Sequence, residues 1–417
     1  MIRLALRNLA RNRWRSGLTV GGVAVAVAAL AWTQGLIEAI VRTTVEGTTS
    51  VQMGDLSIES KVHARDGLMV DAFPASDQLL ARVRGVPGVR AVAPRLLAFG
   101  LVGREARSQT ALLIGVDASA ETAASSVPKA VTNGSWLPHG DVASAEGRPV
   151  VLGEGLAKLL AARVGDELVV LMQAADSSMG DDRLRVAGVA RTGTSALDRQ
   201  AAWMRQSDLA WLAALEGQAH ALMVRTQRGA NLERTAAALR AALSGVPGPE
   251  LVVRTWQELA PDLRQFVQLM DATVGLMYGL LFFVAALGIL NAQRMSALER
   301  QRELAVMMAM GATPVRTAGL LIVETILLTA LGAAAGAFLG WAVLAWHTHA
   351  GLDLAALGSE THSNMGVSFS SRMYFVLRPA MIARPALSAL VVGALSGMWP
   401  ALRSARLELV RVISGRT

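Results

Sequence analysis

The sequence predicts a membrane α-helical protein with four transmembrane helices and a large extracytoplasmic α+β domain between helices 1 and 2. Three observations predict it. Four long runs carry almost no charge, at lengths suited to crossing a hydrocarbon layer of ~30 Å as helices. The excess arginine sits in the short segments that flank those runs. The long segment between the first two runs mixes strand-like and helix-like patterns. Composition agrees, at 53% hydrophobic and 17% charged over 417 residues, with mean hydropathy +0.40.

Residues 1–16 read as a cytoplasmic interfacial helix. Arg3, Arg7, Arg11 and Arg15 recur every fourth residue, opposite Ile2, Leu6 and Leu9. The pattern suits a plain topology signal and a helix that helps hold a partner equally well. Residues 17–38 form the first span. Its uncharged run outlasts the apolar part of a signal peptide, so a retained anchor is expected.

Residues 48–264 form the extracytoplasmic domain. Strands are expected at 55–59, 89–92, 111–116, 149–152, 167–172 and 184–189, and helices at 77–83, 154–162 and 232–243. One internal echo organises it. Residues 78–94 read helix, Gly-Val-Pro-Gly, strand, and residues 236–253 repeat that form. The match is short and the turn common, but it suggests a pseudo-symmetric α+β domain. Its halves would flank an inserted subdomain of mainly β character, about 131–205.

Residues 270–293 are the second span, 294–314 a cytoplasmic coupling-helix region and 317–346 the third span. An extracytoplasmic loop follows at 347–380, the fourth span at 383–403 and a cytoplasmic tail at 404–417. Charge sets the orientation. Arg3, Arg7, Arg11, Arg13 and Arg15 precede the first span without any acid. Arg294, Arg300, Arg302 and Arg316 lie between spans 2 and 3. Arg403, Arg406, Arg411 and Arg416 follow span 4, against the single acid Glu408. The extracytoplasmic segment is nearly balanced, so the formal +8 belongs to the flanks, and both termini are expected in the cytoplasm. A pI near 10.9 built this way argues against a nucleic-acid partner. The absence of cysteine excludes disulfides, thiolate catalysis and cysteine-ligated metals.

The charged stretch 291–312, between two apolar runs, can only lie at the membrane surface, where a soluble partner can push on it. No nucleotide site accompanies it. A P-loop needs Gly-Lys-[Ser/Thr], and none of Lys61, Lys129 and Lys158 follows a glycine. The chain is therefore not expected to be an ATPase. Gly332, Gly336 and Gly340 share one face of span 3 and allow close helix approach, either to another subunit or to the chain's own spans. Glu324, about two turns into span 3, is an intramembrane carboxylate. With no second acid inside the uncharged runs 17–37, 272–293 and 385–402 or elsewhere in 317–346, pairing with a nearby arginine such as Arg316 is favoured over an ion site. His347, His349 and His362 are placed in the extracytoplasmic loop, without the spacing of a zinc site. No catalytic constellation or cofactor site is recognised.

These features resemble the macrolide-exporter and cell-division permease superfamily of ATP-binding-cassette (ABC) transporters, the MacB–FtsX-like permeases. The start LALRNLARNRWRSGLTVGGVAVAVA resembles that family's entry helix and first span. ALERQRELAVMMAMGATP resembles its signature between spans 2 and 3, Glu-Arg-x-x-Glu-Ile-Gly and then Ala-x-Gly-Ala. Glu299, Arg300, Glu303, Gly311 and Ala312 match it, while Leu304 and Ala305 replace Ile-Gly. Glu324 falls where the family often has glutamate. MWPALRSAR resembles the closing Tyr-Pro-Ala motif, with Trp399 as the aromatic. IGVDAS, AKLLAARVGDELVV and TWQELAPDLRQF look most like the lipoprotein-releasing (LolC/LolE-like) branch.

The resemblance implies a cytoplasmic ABC ATPase dimer that supplies the ATP and Mg site, and a second permease, identical or related. It implies mechanotransmission: ATPase closure moves the coupling helix, and the spans carry that motion to the outside domain. Glu299, Arg300, Arg302 and Glu303 would make or orient the ATPase contact. The expected role is lipoprotein release from the outer leaflet of a bacterial inner membrane, the cargo being a lipoprotein or hydrophobic molecule. The alternatives are an efflux permease for small molecules or peptides, and a signal transmitter to a cell-wall hydrolase. The last usually has a much smaller outside domain.

Overall fold

Four helices are long and apolar enough to cross a membrane. In the computed structural model, which describes residues 13–140, 147–299, 301–353, 363–364, 367–368 and 372–404, they run Arg13–Thr48, Pro261–Glu299, Pro314–Ala350 and Pro379–Ser404. They are spans 1 to 4 below. Most of the expected interfacial helix and of the tail lies outside the described residues. Contacts divide the chain into two units. One holds residues 1–42, 266–358 and 371–417, and the other residues 43–265 and 359–370.

In the membrane unit the helices outrun the apolar stretches at both ends. Span 2 begins at Pro261, the first-turn position where a missing N–H costs nothing, with Asp262 beside the positive end of the helix dipole. It continues through NAQRMSALE to Glu299, because that segment holds good helix formers and neither Gly nor Pro. The charged stretch is helical on both sides of position 300: its first part extends span 2 to Glu299, and helix covers Gln301–Ala309. Span 3 runs to Ala350, so His347 and His349 occupy its last turn and not a loop. The His347 ring stacks on Phe375, with centroids 5.0 Å apart. His362 lies outside the described residues. Among the described residues no group of three His, Cys, Asp or Glu could hold a metal ion.

The other unit is built on a ten-stranded sheet. Its elements are β1 (Leu56–Ser60), α1 (Asp77–Arg84), β2 (Val89–Arg104), β3 (Arg107–Val116), α2 (Ala118–Ala124), β4 (Val131–Gly134), β5 (Arg148–Gly153), α3 (Glu154–Leu160), β6 (Glu167–Gln173), β7 (Met179–Ala190), β8 (Ala201–Arg205), α4 (Gln206–Ala213), β9 (Ala221–Thr226), α5 (Leu232–Leu243) and β10 (Leu251–Thr255). The sheet order is β10-β1-β9-β2-β3-β8-β5-β7-β4, with β6 pairing β2 and β7.

The first four strands in that order are mutually antiparallel. With α1 and α5 they form two β-α-β units, β1-α1-β2 and β9-α5-β10, interleaved as a split βαβ fold. The repeated Gly-Val-Pro-Gly turns connect helix to strand in each. Gly88 has φ +92° and its missing Cβ would stand 2.6 Å from Thr235 Oγ1, so a side chain is barred twice over. Leu56, Ile58, Leu79, Val83, Val92, Leu222, Val224, Leu239 and Val253 fill this core.

The inserted segment does not build a separate sheet. The 16-residue β2 continues past the first core and pairs with β3 and β6, which carry the remaining strands. A second core gathers there, with Leu96, Leu113, Val150, Leu152, Leu156, Leu184, Met204 and Leu209 buried together. Helix α4 belongs to this core, so the insertion's packing extends beyond residue 205.

Candidate coupling and transmission site

The turn between the charged helical stretch Gln301–Ala309 and span 3 explains two of the residues singled out in the sequence. Gly311 has φ +96°, a conformation glycine adopts without steric cost. Its N–H donates to Met308 O at 3.0 Å, and the Ala312 N–H donates to Met307 O at 3.0 Å. This paired closure is a Schellman cap, which satisfies carbonyls the helix end would leave unpaired. Thr313 then caps span 3, its hydroxyl oxygen accepting from Arg316 N at 3.3 Å, with Pro314 in the first turn. Gly311 and Ala312 therefore stop one helix so that another can start within a few residues. Glu299 and Glu303 are both exposed, on either side of position 300. Arg300 lies outside the described residues, and of the Arg302 side chain nothing is described.

Span 3 is the packing centre of the membrane unit. A Cβ on Gly332 would lie 2.7 Å from Val23 Cβ, one on Gly336 2.5 Å from Ala24 O, and one on Gly340 2.9 Å from Ala31 Cβ. All three glycines thus face span 1 of the same chain. Nearer the start of span 3, Cβ atoms on Gly393 and Gly397 of span 4 would meet Thr329 Oγ1 at 2.3 Å and Thr325 Oγ1 at 2.7 Å. Those hydroxyls donate back to Thr325 O at 2.8 Å and Leu321 O at 2.9 Å, so neither is stranded between the helices. Glu324 is buried on the same helix and is not without a partner. The Arg294 guanidinium of span 2 lies 5.8 Å from the Trp399 ring centre of span 4, which gives the aromatic of the closing motif a cationic neighbour.

The segment that leaves span 1, Thr49–Met53, is bound to the sheet by residues with no conspicuous pattern in the sequence. Arg95 on β2 and Glu121 on α2 form an ion pair whose side chains are 5% and 0% exposed. Arg95 Nη1 donates to Gln52 O at 2.5 Å and Nη2 to Val51 O at 3.0 Å. Charge-assisted bonds to two successive carbonyls hold the chain exit at a fixed place on the sheet. Asp55 adds a second attachment. It accepts from Arg225 Nη1 at 2.9 Å, Thr226 N at 2.8 Å and Thr226 Oγ1 at 3.0 Å. The returning chain meets the same residue, with Trp256 N donating to Asp55 O at 3.1 Å. A capping box of Thr255 and Glu258 then starts the helical path toward Pro261. Exit and return are thus stitched together at Asp55.

His220, next to β9, is fully buried. Its Nδ1 accepts from Leu97 N at 2.9 Å and its Nε2 donates to Met69 O at 2.7 Å, which defines the neutral tautomer. Burial pushes its pKa below the ordinary 6.5.

Comparison with known proteins agrees with this architecture. Residues 16–242 match the family model of the MacB-like periplasmic core domain, and residues 275–409 that of the FtsX-like permease C-terminal region. The lipoprotein-releasing system transmembrane protein LolC of Xylella fastidiosa strain Temecula1 is 23% identical over 334 residues, covering 77% of each chain. LolC of strain 9a5c is 24% identical over the same length and coverage. Among solved structures, the extracellular domain of the noncanonic ABC-type transporter YknZ from Gram-positive bacteria is 12% identical, with TM-score 0.33, covering 48% of this chain and 99% of that one. The periplasmic region of MacB from Actinobacillus actinomycetemcomitans is 13% identical, with TM-score 0.38, covering 52% and 95%. One family model takes in span 1 and most of the outside domain and the other takes in the remaining spans, so this chain belongs to the MacB/FtsX family of ABC-transporter permeases.

Proposed function

We propose that this permease drives release of a lipoprotein, or of a similarly lipid-anchored hydrophobic cargo, from the outer leaflet of a bacterial inner membrane. The observation that carries this reading is the similarity to LolC, which extends over 77% of both chains. The chain itself hydrolyses no ATP. A separate cytoplasmic ABC ATPase dimer binds ATP and Mg and docks on the surface around Glu299, Arg300, Arg302 and Glu303, with both chain termini on the same side. A second permease, identical or related, completes the assembly. The outward apolar face of span 2, with Leu276, Leu280, Phe283 and Leu287 exposed, is open to lipid or to such a partner.

The mechanism is mechanical. Motion applied to the charged helix reaches span 3 through the tight cap at Gly311. The close contacts of Gly332, Gly336 and Gly340 make spans 1 and 3 move together. The Arg95 and Asp55 attachments deliver the displacement of the span 1 exit to the sheet. A second reading, efflux of small molecules or peptides, draws support from the match to the MacB-like core domain.

A mild-detergent pull-down of the tagged chain from its native membrane, read by mass spectrometry, tests the proposal. An ATPase with co-purifying lipoproteins is the expected result. An ATPase with an adaptor or tunnel protein would favour efflux, and a wall hydrolase would favour signalling. Recovery of no ATPase would overturn the permease mechanism as stated.

A further inference from the structure

A polar cleft of about 550 Å³ opens among spans 1, 2 and 4, at the ends of those spans that connect to the extracytoplasmic segments. Gln34 and Glu38 line it from span 1, Asp271 and Tyr278 from span 2, and Arg384 from span 4, with Arg378 just ahead of that helix. Ionisable groups this close to lipid are expensive unless paired or occupied. Only part of this set is satisfied within the chain. Glu38 and Arg378 form an ion pair at 2.9 Å. Among the described residues neither Asp271 nor Arg384 has an ion-pair partner. Two further atoms add to the case. Gln34 Oε1 and Tyr278 Oη are buried without a hydrogen-bond partner among the described residues. A stranded buried polar atom costs about 1–3 kcal/mol, so a pair of them lining one cleft marks a place built for a ligand.

The chemistry of the unsatisfied groups specifies that ligand. Arg384 and the Tyr278 hydroxyl supply a cation and a donor, which suit phosphate oxygens. Asp271 and Gln34 Oε1 supply acceptors, which suit an ammonium that still carries N–H bonds. A headgroup with phosphate alone leaves the acceptors empty and meets repulsion from Asp271. A quaternary ammonium has no N–H to give them. We infer that this cleft binds the headgroup of a phospholipid bearing both a phosphate and a primary ammonium, the phosphatidylethanolamine class. Basic sites between transmembrane helices commonly take lipid headgroups, and the acceptors here add selectivity among them. The inference rests on the membrane location of the spans and is independent of which cargo the permease releases.

The test is native mass spectrometry of the full-length chain, released from micelles loaded with equal amounts of phosphatidylethanolamine, phosphatidylglycerol and phosphatidylcholine. The wild type is expected to retain phosphatidylethanolamine in preference to the other two. Arg384→Ala should lower that retention about tenfold, equivalent to ~1.4 kcal/mol. Arg384→Lys should keep most of it, and Asp271→Asn should shift retention toward phosphatidylglycerol. Thermal unfolding of each variant in the same micelles separates loss of lipid from loss of fold. Equal retention of the three lipids by the wild type would overturn the inference, as would unchanged retention in a folded Arg384→Ala. Displacement of the lipid by an equal concentration of soluble glycerophosphoethanolamine would overturn the membrane source of the ligand.

Discussion

The Arg95 side chain joins two chemistries in one residue: a buried ion pair with Glu121, and bonds to the two carbonyls that end the span 1 exit. A buried pair is weak evidence of net stability, but removing one partner leaves an uncompensated charge inside the fold. Glu121→Ala is therefore expected to destabilise the extracytoplasmic domain by about 3–5 kcal/mol, read by denaturant unfolding of the full chain in detergent. An effect below ~1 kcal/mol would mean that the carbonyls alone satisfy Arg95. His220 makes a second prediction at this scale. Its folded-state pKa lies below 6.5, so below that pH the unfolded chain binds the proton more readily than the native one. The contribution is fully present above pH ~6.5 and is lost as pH falls from there toward the depressed folded value. Unfolding temperature measured against pH should drop across that window, and His220→Leu should flatten the drop even though it lowers stability throughout.

At the scale of elements, the close approach of spans 1 and 3 is the feature most exposed to a single substitution. Gly336 has backbone and side-chain atoms of Ala24 and Val27 within 3 Å of where a Cβ would sit, whereas Gly319 of the same span has nothing within 4 Å. Gly336→Leu should force the spans apart at a cost of at least about 1–3 kcal/mol, and Gly319→Leu should not. Comparing the unfolding temperatures of the two variants tests whether the glycine stripe packs spans of one chain. In the sequence that stripe was legible as a helix–helix contact, but its partner was not, because four-residue spacing specifies a face and not what covers it. The strands read from the sequence were those rich in Val, Leu and Ile. β8, Ala-Ala-Trp-Met-Arg, escaped because it is buried at all five positions and shows no alternation. The helix ends escaped for a different reason. Apolar runs mark where lipid begins, while helix propensity and caps decide where the helix stops, and at the Ala350 end of span 3 the two diverge by several residues.

For the whole molecule, the parts of the mechanism differ in how they are encoded. The charged helix, its cap and the glycine stripe each lie within a few turns of chain, so they stand out in the sequence. Arg95 and Glu121 are 26 residues apart, and Asp55 meets Arg225 across 170, so no local pattern announces either attachment. A transmission path needs all of these joints to be stiff at once, and this gives a prediction that no single joint makes. Glu303 is exposed in the charged helix that the Gly311 cap closes, far in sequence from the Arg95 and Asp55 attachments. Glu303→Lys reverses one exposed charge, and loss of an exposed contact of that kind costs no more than about 1 kcal/mol. Membrane insertion and unfolding temperature should therefore stay near those of the wild type. ATP hydrolysis by the assembled complex should persist while cargo release falls, because the push would reach a surface that no longer receives it. Loss of ATPase binding would instead place Glu303 in the docking contact itself, and normal cargo release would remove it from the coupling path. Glu121→Ala measured in the same assay should weaken coupling from the opposite end, with ATPase binding intact and the Arg95 attachment at the exit of span 1 loosened while the Asp55 attachment remains.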